Sequence, residues 1–186
     1  VKALILRGIF LGTRREDEWF SHGAKFFYPE VYEDYIAKIP PGERDDLIQS
    51  YYRLLTSTSG ERLKGLVAAS RKWETTLFKL IPTADENNSE VTENETVSSR
   101  ILYYYLAHGC FLKEDQILKN VEKIRKIPAV IIQGRYDMTC PPITAWELHK
   151  KWLEAEFHFI QDAGHHSSEP GIIDKLIEYT NKFSDL

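Results

Sequence analysis

The chain has 186 residues, 42% of them hydrophobic, which is enough for one sizeable core or for a core with a small inserted subdomain. Its 24 basic and 28 acidic side chains nearly balance, and no cluster of Lys and Arg interleaves with aromatics, so we expect no nucleic-acid partner. Two cysteines and the lack of a bilayer-length apolar stretch favour a cytoplasmic protein without a membrane partner over a disulfide-rich secreted scaffold.

The first apolar run, Ala3 to Leu6, has the pattern of a strand buried on both faces of a parallel sheet. We assign residues 1–12 to a core strand of the main domain. The run begins at Val1 without a methionine, a signal peptide or a helix cap, and we interpret this start as a cut edge.

Residues 13–126 have apolar side chains at intervals of three and four, over segments separated by the break at Pro40-Pro41. This spacing predicts a helical domain, which ends with helices at Ile101 to Phe111 and Glu114 to Arg125. Within it, the polar, acidic stretch 83–98 is expected to be a mobile loop, because it has too few apolar residues to order itself.

Residues 127–186 alternate between strand and helix patterns. These elements are a strand at Ile127 to Gln133, a helix after Pro142, a strand at Phe157 to Ile160 and a helix after Pro170. Thr144 and Glu147 have the spacing of a capping box for the first of these helices. The alternation indicates a parallel, doubly wound sheet, so the predicted fold class is α/β.

Two groups suited to acid-base chemistry follow the two predicted strands. Asp137 follows the first strand after a Gly-containing turn, and His165 follows the second after Asp162-Ala-Gly. Because neighbouring parallel strands end at the same edge of a sheet, we expect the two side chains to lie about 2.6 to 3.2 Å apart. A carboxylate that orients an imidazole is the acid-base half of a Ser-Asp-His triad, and this chain order matches α/β-hydrolases. The competing interpretation is a capping aspartate and a structural histidine.

Longer motifs surround these residues and extend over most of the chain. They are Gly134-Arg-Tyr-Asp-Met-Thr-Cys-Pro141, Ala145-Trp-Glu-Leu-His149, Asp162-Ala-Gly-His165, Glu169-Pro-Gly171, Leu4-Ile-Leu-Arg-Gly-Ile-Phe10, Ile39-Pro-Pro, Trp73-Glu74, Gly109-Cys-Phe-Leu and Glu114-Asp-Gln-Ile-Leu118. Together they resemble the proline iminopeptidase (prolyl aminopeptidase) family of serine peptidases. The resemblance implies an α/β-hydrolase fold of which this chain is the C-terminal part, with 13–126 as an inserted helical cap and 127–186 as the C-terminal core.

The resemblance also implies roles for individual residues. Asp137 matches the triad acid, His165 the triad base, and Glu74 a cap glutamate that receives the α-ammonium of the substrate's N-terminal proline. Cys140 matches a cysteine close to the site and is not expected to be a nucleophile. The implied activity is a serine aminopeptidase that releases N-terminal proline from peptides, with no cofactor and no metal.

The sequence departs from the family pattern in two respects. It has neither a Gly-x-Ser-x-Gly elbow nor a glycine-rich oxyanion segment, so we expect a missing N-terminal segment of the same protein to supply both and this chain alone to be inactive. Leu102 stands where the family usually has a second glutamate for the substrate amine. The neighbouring tyrosines at 103–105 offer hydroxyls or cation-π faces there, or are packed cap aromatics.

Three alternatives stay open on the sequence alone. Leu102 favours another capped α/β-hydrolase, such as an esterase or amidase, if amine recognition is lost. The absent serine favours a non-catalytic fragment or pseudoenzyme if the chain is complete. A metal site built from Asp137, His165 and His166 is disfavoured, because adjacent histidines seldom coordinate one ion.

Overall fold

The fold is described from a computed structural model, which describes residues 1–81, 90–184 and 186. The chain forms two compact units. The first comprises Val1–Glu16, Leu77–Ile81 and Glu114–Leu186, and the second comprises Asp17–Thr76 and Pro82–Lys113. The assignment of 1–12 and 127–186 to a hydrolase core, and of 13–126 to a cap, stays a prediction.

The first unit is built on a three-stranded parallel sheet. Its strands are β1 (Leu4–Arg7), β2 (Ala129–Gly134) and β3 (Glu156–Ile160), in the order β1-β2-β3. All six residues of the central strand β2 are buried, which explains why residues 129–132 appear in the sequence as a continuous apolar run. The predicted α/β class is confirmed, and the parallel sheet with its helices agrees with the C-terminal part of an α/β-hydrolase.

Helices of the first unit cover both faces of this sheet. They are α6 (Gln116–Lys119), α7 (Pro142–Lys151) and α8 (Pro170–Lys182), whereas the short α1 (Arg14–Glu18) crosses the boundary between the two units after Glu16. Because side chains alternate along a strand, Ile131 packs with Leu148 of α7 on one face, and Ile132 packs with Ile172 of α8 on the other. Each such fully buried side chain stabilises the fold by about 1.5–3 kcal/mol. The two apolar layers therefore hold the strand ends in fixed positions.

Two local predictions in this unit are wrong. The helix α7 begins at Pro142, whose fixed φ suits the first helical position, and not at a Thr144–Glu147 capping box. Glu147 instead pairs with Arg15 at 2.6 Å, and the buried Thr144 hydroxyl has no hydrogen-bond partner among the described residues. The predicted helix Glu114 to Arg125 is the short α6 followed by a 3-10 turn, Val121–Lys123.

The second unit is helical, as the sequence predicts. Its α-helices are α2 (Pro29–Ala37), α3 (Leu47–Ser57), α4 (Gly60–Phe78) and α5 (Glu93–Ala107), with a π-helical turn at Trp19–Gly23 and 3-10 turns at Ala24–Phe26, Pro41–Glu43 and Gly109–Phe111. The last residues of α4 belong to the first unit. None of the helices in the described part of the chain combines the length and apolar character that a membrane span requires.

The predicted acidic loop, 83–98, is partly wrong. Residues 82–89 lie outside the described part of the chain, whereas Glu93 begins α5. A capping box starts this helix: the Thr92 hydroxyl accepts a hydrogen bond from Glu95 N at 3.2 Å, and the Glu95 carboxylate accepts one from Thr92 N at 2.7 Å. An ion pair between Arg71 and Glu95 adds to the cap. Capping therefore orders a polar segment that composition alone assigns to a loop.

Candidate active site

Asp137 and His165 meet at the carboxyl end of the sheet, in the first unit. The His165 Nδ1 atom lies 3.0 Å from Asp137 Oδ2 and 3.1 Å from Oδ1, so the expected contact is present. The Asp137 side chain is only 1% exposed and that of His165 is 16% exposed. Because Nδ1 faces the carboxylate, Nε2 is the ring nitrogen that can exchange a proton with a reacting group.

The Asp137 carboxylate is also held by three other donors. Oδ1 accepts hydrogen bonds from the backbone amides of Thr139 at 3.0 Å and Cys140 at 2.7 Å. Oδ2 accepts one from Gln133 Nε2 at 2.9 Å. A buried ionised carboxylate needs such donors to offset the loss of its hydration. They also fix its orientation, so that it can hold one tautomer of His165.

Gln133 is a functional residue that the sequence analysis missed. It is the residue before the last in β2 and is fully buried. Its amide donates to Asp137 and, at 3.0 Å, to the Cys140 carbonyl, while its own oxygen accepts a hydrogen bond from Ile9 N at 3.2 Å. The available signal is a single polar side chain near the end of an otherwise apolar strand. This side chain therefore ties the segment after β1 to the loop that carries Asp137.

The loop that carries His165 is fixed through its backbone. Glu169 accepts hydrogen bonds from Gly164 N at 2.6 Å and from Leu80 N at 3.0 Å. The His165 amide donates to the Phe78 carbonyl at 2.8 Å, and Arg7 donates to the His165 carbonyl at 2.7 Å. The backbone groups of Gly164 and His165 are therefore hydrogen-bonded, and these bonds hold the loop that carries the imidazole in place.

The two loops also contact each other directly. The Tyr136 amide donates to the Ala163 carbonyl at 2.9 Å. At Gly134, an added Cβ would lie 1.9 Å from the Gly164 carbonyl oxygen, which no side chain can tolerate. Glycine at this position lets the end of β2 approach the loop after β3, and this approach brings Asp137 to His165.

Cys140 is buried beside the pair and is poorly suited to act as a nucleophile. Burial is the main cause that raises the pKa of its thiol, and the Asp137 and Glu16 carboxylates raise it further. The reactive form of cysteine is the thiolate, so the thiol stays protonated. This agrees with the expectation that Cys140 lies near the site without attacking the substrate.

Cys140 and the pair also form a group of possible metal ligands. Ligand atoms of Asp137, Cys140 and His165 lie within 4.8 Å of one another. The Asp137 oxygens already accept hydrogen bonds from three donors besides His165. His166 does not complete a set, since its Nδ1 lies 2.6 Å from Ser168 Oγ and accepts a hydrogen bond from Ser168 N at 3.1 Å.

Glu74 lies in the second unit, on α4, and its carboxylate is partly buried. Burial raises the pKa of Glu74 to about 7, against the opposing effects of the Ser70 hydrogen bond and the Arg71 charge. Ser70 Oγ donates to Glu74 Oε1 at 2.9 Å. A bound cation stabilises the ionised form of a carboxylate more strongly in such surroundings than in water.

Of the three tyrosines at 103–105, only Tyr103 is buried, and its hydroxyl lies 2.8 Å from that of Tyr35. Tyr104 and Tyr105 are exposed and pack against the ring of Phe111. Leu102 itself is partly buried. All three rings are therefore packed against other aromatics: Tyr103 stacks on Tyr51 in the interior, whereas Tyr104 and Tyr105 lie at the surface.

The chain is similar to known proteins along almost its whole length. It is 42% identical over 183 residues to a probable proline iminopeptidase of Leptolyngbya boryana, covering 97% of this chain and 57% of that protein. The proline iminopeptidase of Arabidopsis thaliana is 38% identical, with 100% of this chain and 50% of that protein covered. That of Xylella fastidiosa (strain Temecula1) is 39% identical, with 97% and 58% covered. The chain thus spans about half the length of the curated relatives it matches.

No protein-family model matches the chain. Among solved structures, an alpha/beta fold family hydrolase from Bacillus anthracis str. Sterne superposes with a TM-score of 0.49 at 21% identity, and covers 98% of this chain and 58% of that one.

Proposed function

We propose, because the chain is related over almost its whole length to proline iminopeptidases, that it is the C-terminal part of a serine aminopeptidase that releases N-terminal proline from peptides. The observation that carries this proposal is the contact of His165 Nδ1 with the buried Asp137 carboxylate at the ends of neighbouring parallel strands. The serine and the oxyanion donors come from an upstream segment of the same protein. This chain with that segment is called the complete protein below.

In the proposed reaction Asp137 holds His165 with its proton on Nδ1. Nε2 takes the proton of the serine hydroxyl as the serine oxygen attacks the scissile carbonyl, and Asp137 stabilises the imidazolium that forms. His165 then gives that proton to the leaving amine as the bond to the prolyl carbonyl breaks. Water, activated by His165 in the same way, hydrolyses the prolyl ester and returns the serine hydroxyl.

Glu74 is the proposed partner of the substrate's α-ammonium. Burial raises the pKa of this carboxyl to about 7, and a bound ammonium would favour its ionised form. With this role of Glu74 we also propose that the helical region 13–126 acts as a cap over the reacting groups. A cytoplasmic location is proposed with it, since the chain has only two cysteines and both are free.

The test is cleavage of proline p-nitroanilide by the complete protein and by this chain alone. We expect turnover by the complete protein, none by this chain, and a fall in kcat of about 10⁴-fold in Asp137→Asn and in His165→Ala. His166→Ala is the matched control, because this adjacent histidine contacts Ser168 instead of Asp137, and it should retain activity. Full activity in His165→Ala would overturn the proposal.

Leu102 favours a second candidate, a capped esterase or amidase that does not recognise an amine. The two candidates are separated by comparing proline p-nitroanilide with an acetate ester of p-nitrophenol. Preference for the ester, with no effect of Glu74→Gln on either substrate, would select the second candidate. Failure of the complete protein on both substrates would select a non-catalytic role.

A further inference from the structure

The last turn of helix α4 contacts both loops that carry the candidate catalytic residues. The final four carbonyl groups of an α-helix have no partner within the helix. Two of these groups, on Leu77 and Phe78, belong to the first unit. The Leu77 carbonyl accepts a hydrogen bond at 3.2 Å from the hydroxyl of Thr139, two residues after Asp137. The end of α4 therefore supplies an acceptor to the loop that follows β2.

The Phe78 carbonyl accepts two hydrogen bonds from the other loop. The backbone amides of His165 and His166 both donate to it at 2.8 Å. The residues after Phe78 also lie close to this loop, because a Cβ added at Gly164 would stand 2.9 Å from Leu80 N. A side chain at this glycine would push the two segments apart. The end of α4 and the residues that follow it thus fix the backbone of both loops.

The side chain of Phe78 packs on the imidazole itself. The centroids of the Phe78 and His165 rings lie 5.6 Å apart, and the ring planes meet at 30°. Aromatic rings in contact stabilise each other beyond the effect of the area that they bury. A rotation of His165 that separated the two rings would lose this stabilisation as well as the contact with Asp137.

We propose that Phe78 is a positioning residue. Its carbonyl holds the backbone of His165, and its ring holds the imidazole in the orientation in which Nδ1 faces Asp137. The inference rests on the proposed function, in which His165 is the base, and it adds the end of α4 to the groups on which proton transfer depends. Because Phe78 acts through His165, its ring should affect the reaction step and not the binding of substrate.

The competing role of Phe78 is that of an apolar side chain that fills space beside the loop. Leucine keeps most of that apolar volume but has no flat ring, whereas tyrosine keeps the ring. The two substitutions therefore distinguish a requirement for a ring from a requirement for bulk. Phe78 is only partly buried, so we expect both variants to fold.

The experiment measures kcat and KM of Phe78→Leu in the complete protein, with proline p-nitroanilide and p-nitrophenyl acetate as substrates. We expect kcat to fall about ten-fold on both substrates, as the loss of an aromatic pair implies, with KM within about two-fold of the wild type. Modification of the serine by diisopropyl fluorophosphate should slow by the same factor, because this reaction needs His165 but no recognition of an amine. Phe78→Tyr, which keeps the ring, should have a kcat within about two-fold of the wild type.

Phe157→Leu is the matched control. Phe157 also belongs to the first unit, is partly buried and packs on a histidine, with its ring centroid 4.8 Å from that of His149 and the same angle of 30° between the rings. His149 has no part in the proposed reaction, so this variant should keep the wild-type kcat. Urea unfolding of each variant establishes that the kinetic measurements are made on folded protein.

The outcomes separate this inference from the proposed function. A wild type that does not cleave the proline substrate, or full activity in His165→Ala, contradicts the proposed function. Wild-type kcat in Phe78→Leu, alongside an inactive His165→Ala, overturns the inference alone.

Three other results also overturn the inference. An equal loss of kcat in Phe78→Tyr would show that the ring is not the feature required. An equal loss in Phe157→Leu would indicate a general effect of replacing a packed aromatic side chain. A rise in KM with unchanged kcat in Phe78→Leu would indicate that Phe78 binds substrate instead of positioning His165.

Discussion

Gly8 lies directly against the imidazole of His165. A Cβ added at Gly8 would stand 2.9 Å from His165 Cε1 and 3.2 Å from Nδ1. Gly8 also has a φ of +55°, in the left-handed region that favours glycine. The residue that directly follows β1 therefore packs against the imidazole.

We predict that Gly8→Ala in the complete protein lowers kcat by about 100-fold, because a small displacement of a catalytic group has effects of this size. The new methyl group would displace the imidazole from its position against Asp137. The measurement is kcat on proline p-nitroanilide, with circular dichroism to establish that the variant is folded.

Gly65→Ala is the matched control, since an added Cβ there meets nothing within 4 Å. It lies within helix α4, so it should keep full activity and gain about 0.5–1 kcal/mol of stability. Equal activity of the two variants would contradict the role of Gly8.

Glu169→Gln should reduce stability by about 1–3 kcal/mol. The carboxylate accepts from two backbone amides, Gly164 and Leu80, whereas a glutamine turns an NH₂ group toward one of them. The measurement is the free energy of unfolding in urea. Glu178→Gln is the control, because this exposed side chain pairs with Lys175 at the surface, and it should change stability by less than about 0.5 kcal/mol. A similar change in the free energy of unfolding for both variants would show that Glu169 does not hold the loop that carries His165 in place.

Gln133→Leu should lower both stability and kcat. The substitution leaves the Ile9 amide and the Cys140 carbonyl without their buried partner and removes one donor from Asp137. We expect a loss of about 1–3 kcal/mol from unpaired buried groups, measured by urea unfolding, and a lower kcat on proline p-nitroanilide at a temperature where the variant is folded. Gln161→Leu, at an exposed glutamine that contacts Arg135, is the control. Unchanged kcat in folded Gln133→Leu would show that Asp137 does not depend on this donor.

Glu74 should make stability fall as the pH rises. Its pKa in the folded protein, about 7, lies above the ordinary value of 4.5, so the folded state binds the proton more tightly than the unfolded state. The favourable contribution is complete below about pH 4.5 and is lost as the pH rises through about 7. We expect Glu74→Gln to remove this part of the pH dependence of Tm, measured without substrate between pH 4.5 and 8. An identical slope in wild type and variant would contradict the raised pKa.

The sheet and the central contact were predictable because each depends on a strong local signal. The apolar run of β2 indicates a buried strand, and Asp137 and His165 follow β2 and β3 in sequence. Once parallel strands are inferred, their ends must converge. The supporting residues carry no such signal. Glu169 and Gln133 act through hydrogen bonds to backbone atoms distant in sequence, which a residue pattern does not reveal.

The errors have a common physical origin. Composition marked the start of α5 as a loop, although Thr92 and Glu95 form a capping box there. A similar spacing at Thr144 and Glu147 predicted a cap that does not form, because Pro142 already begins α7 and Arg15 binds Glu147. In both cases one competing local interaction decided the boundary of a helix.

Covalent labelling tests the central claim most directly. The complete protein is treated with diisopropyl fluorophosphate, and the site and rate of modification are followed by intact-mass measurement and peptide mapping. We predict a single adduct on a serine outside this chain, formed at least about 10³-fold more slowly in His165→Ala and in Asp137→Asn but at the normal rate in His166→Ala. An adduct on a residue of this chain, or an undiminished rate in His165→Ala, would contradict the pairing of Asp137 and His165 as the acid and base of a serine hydrolase.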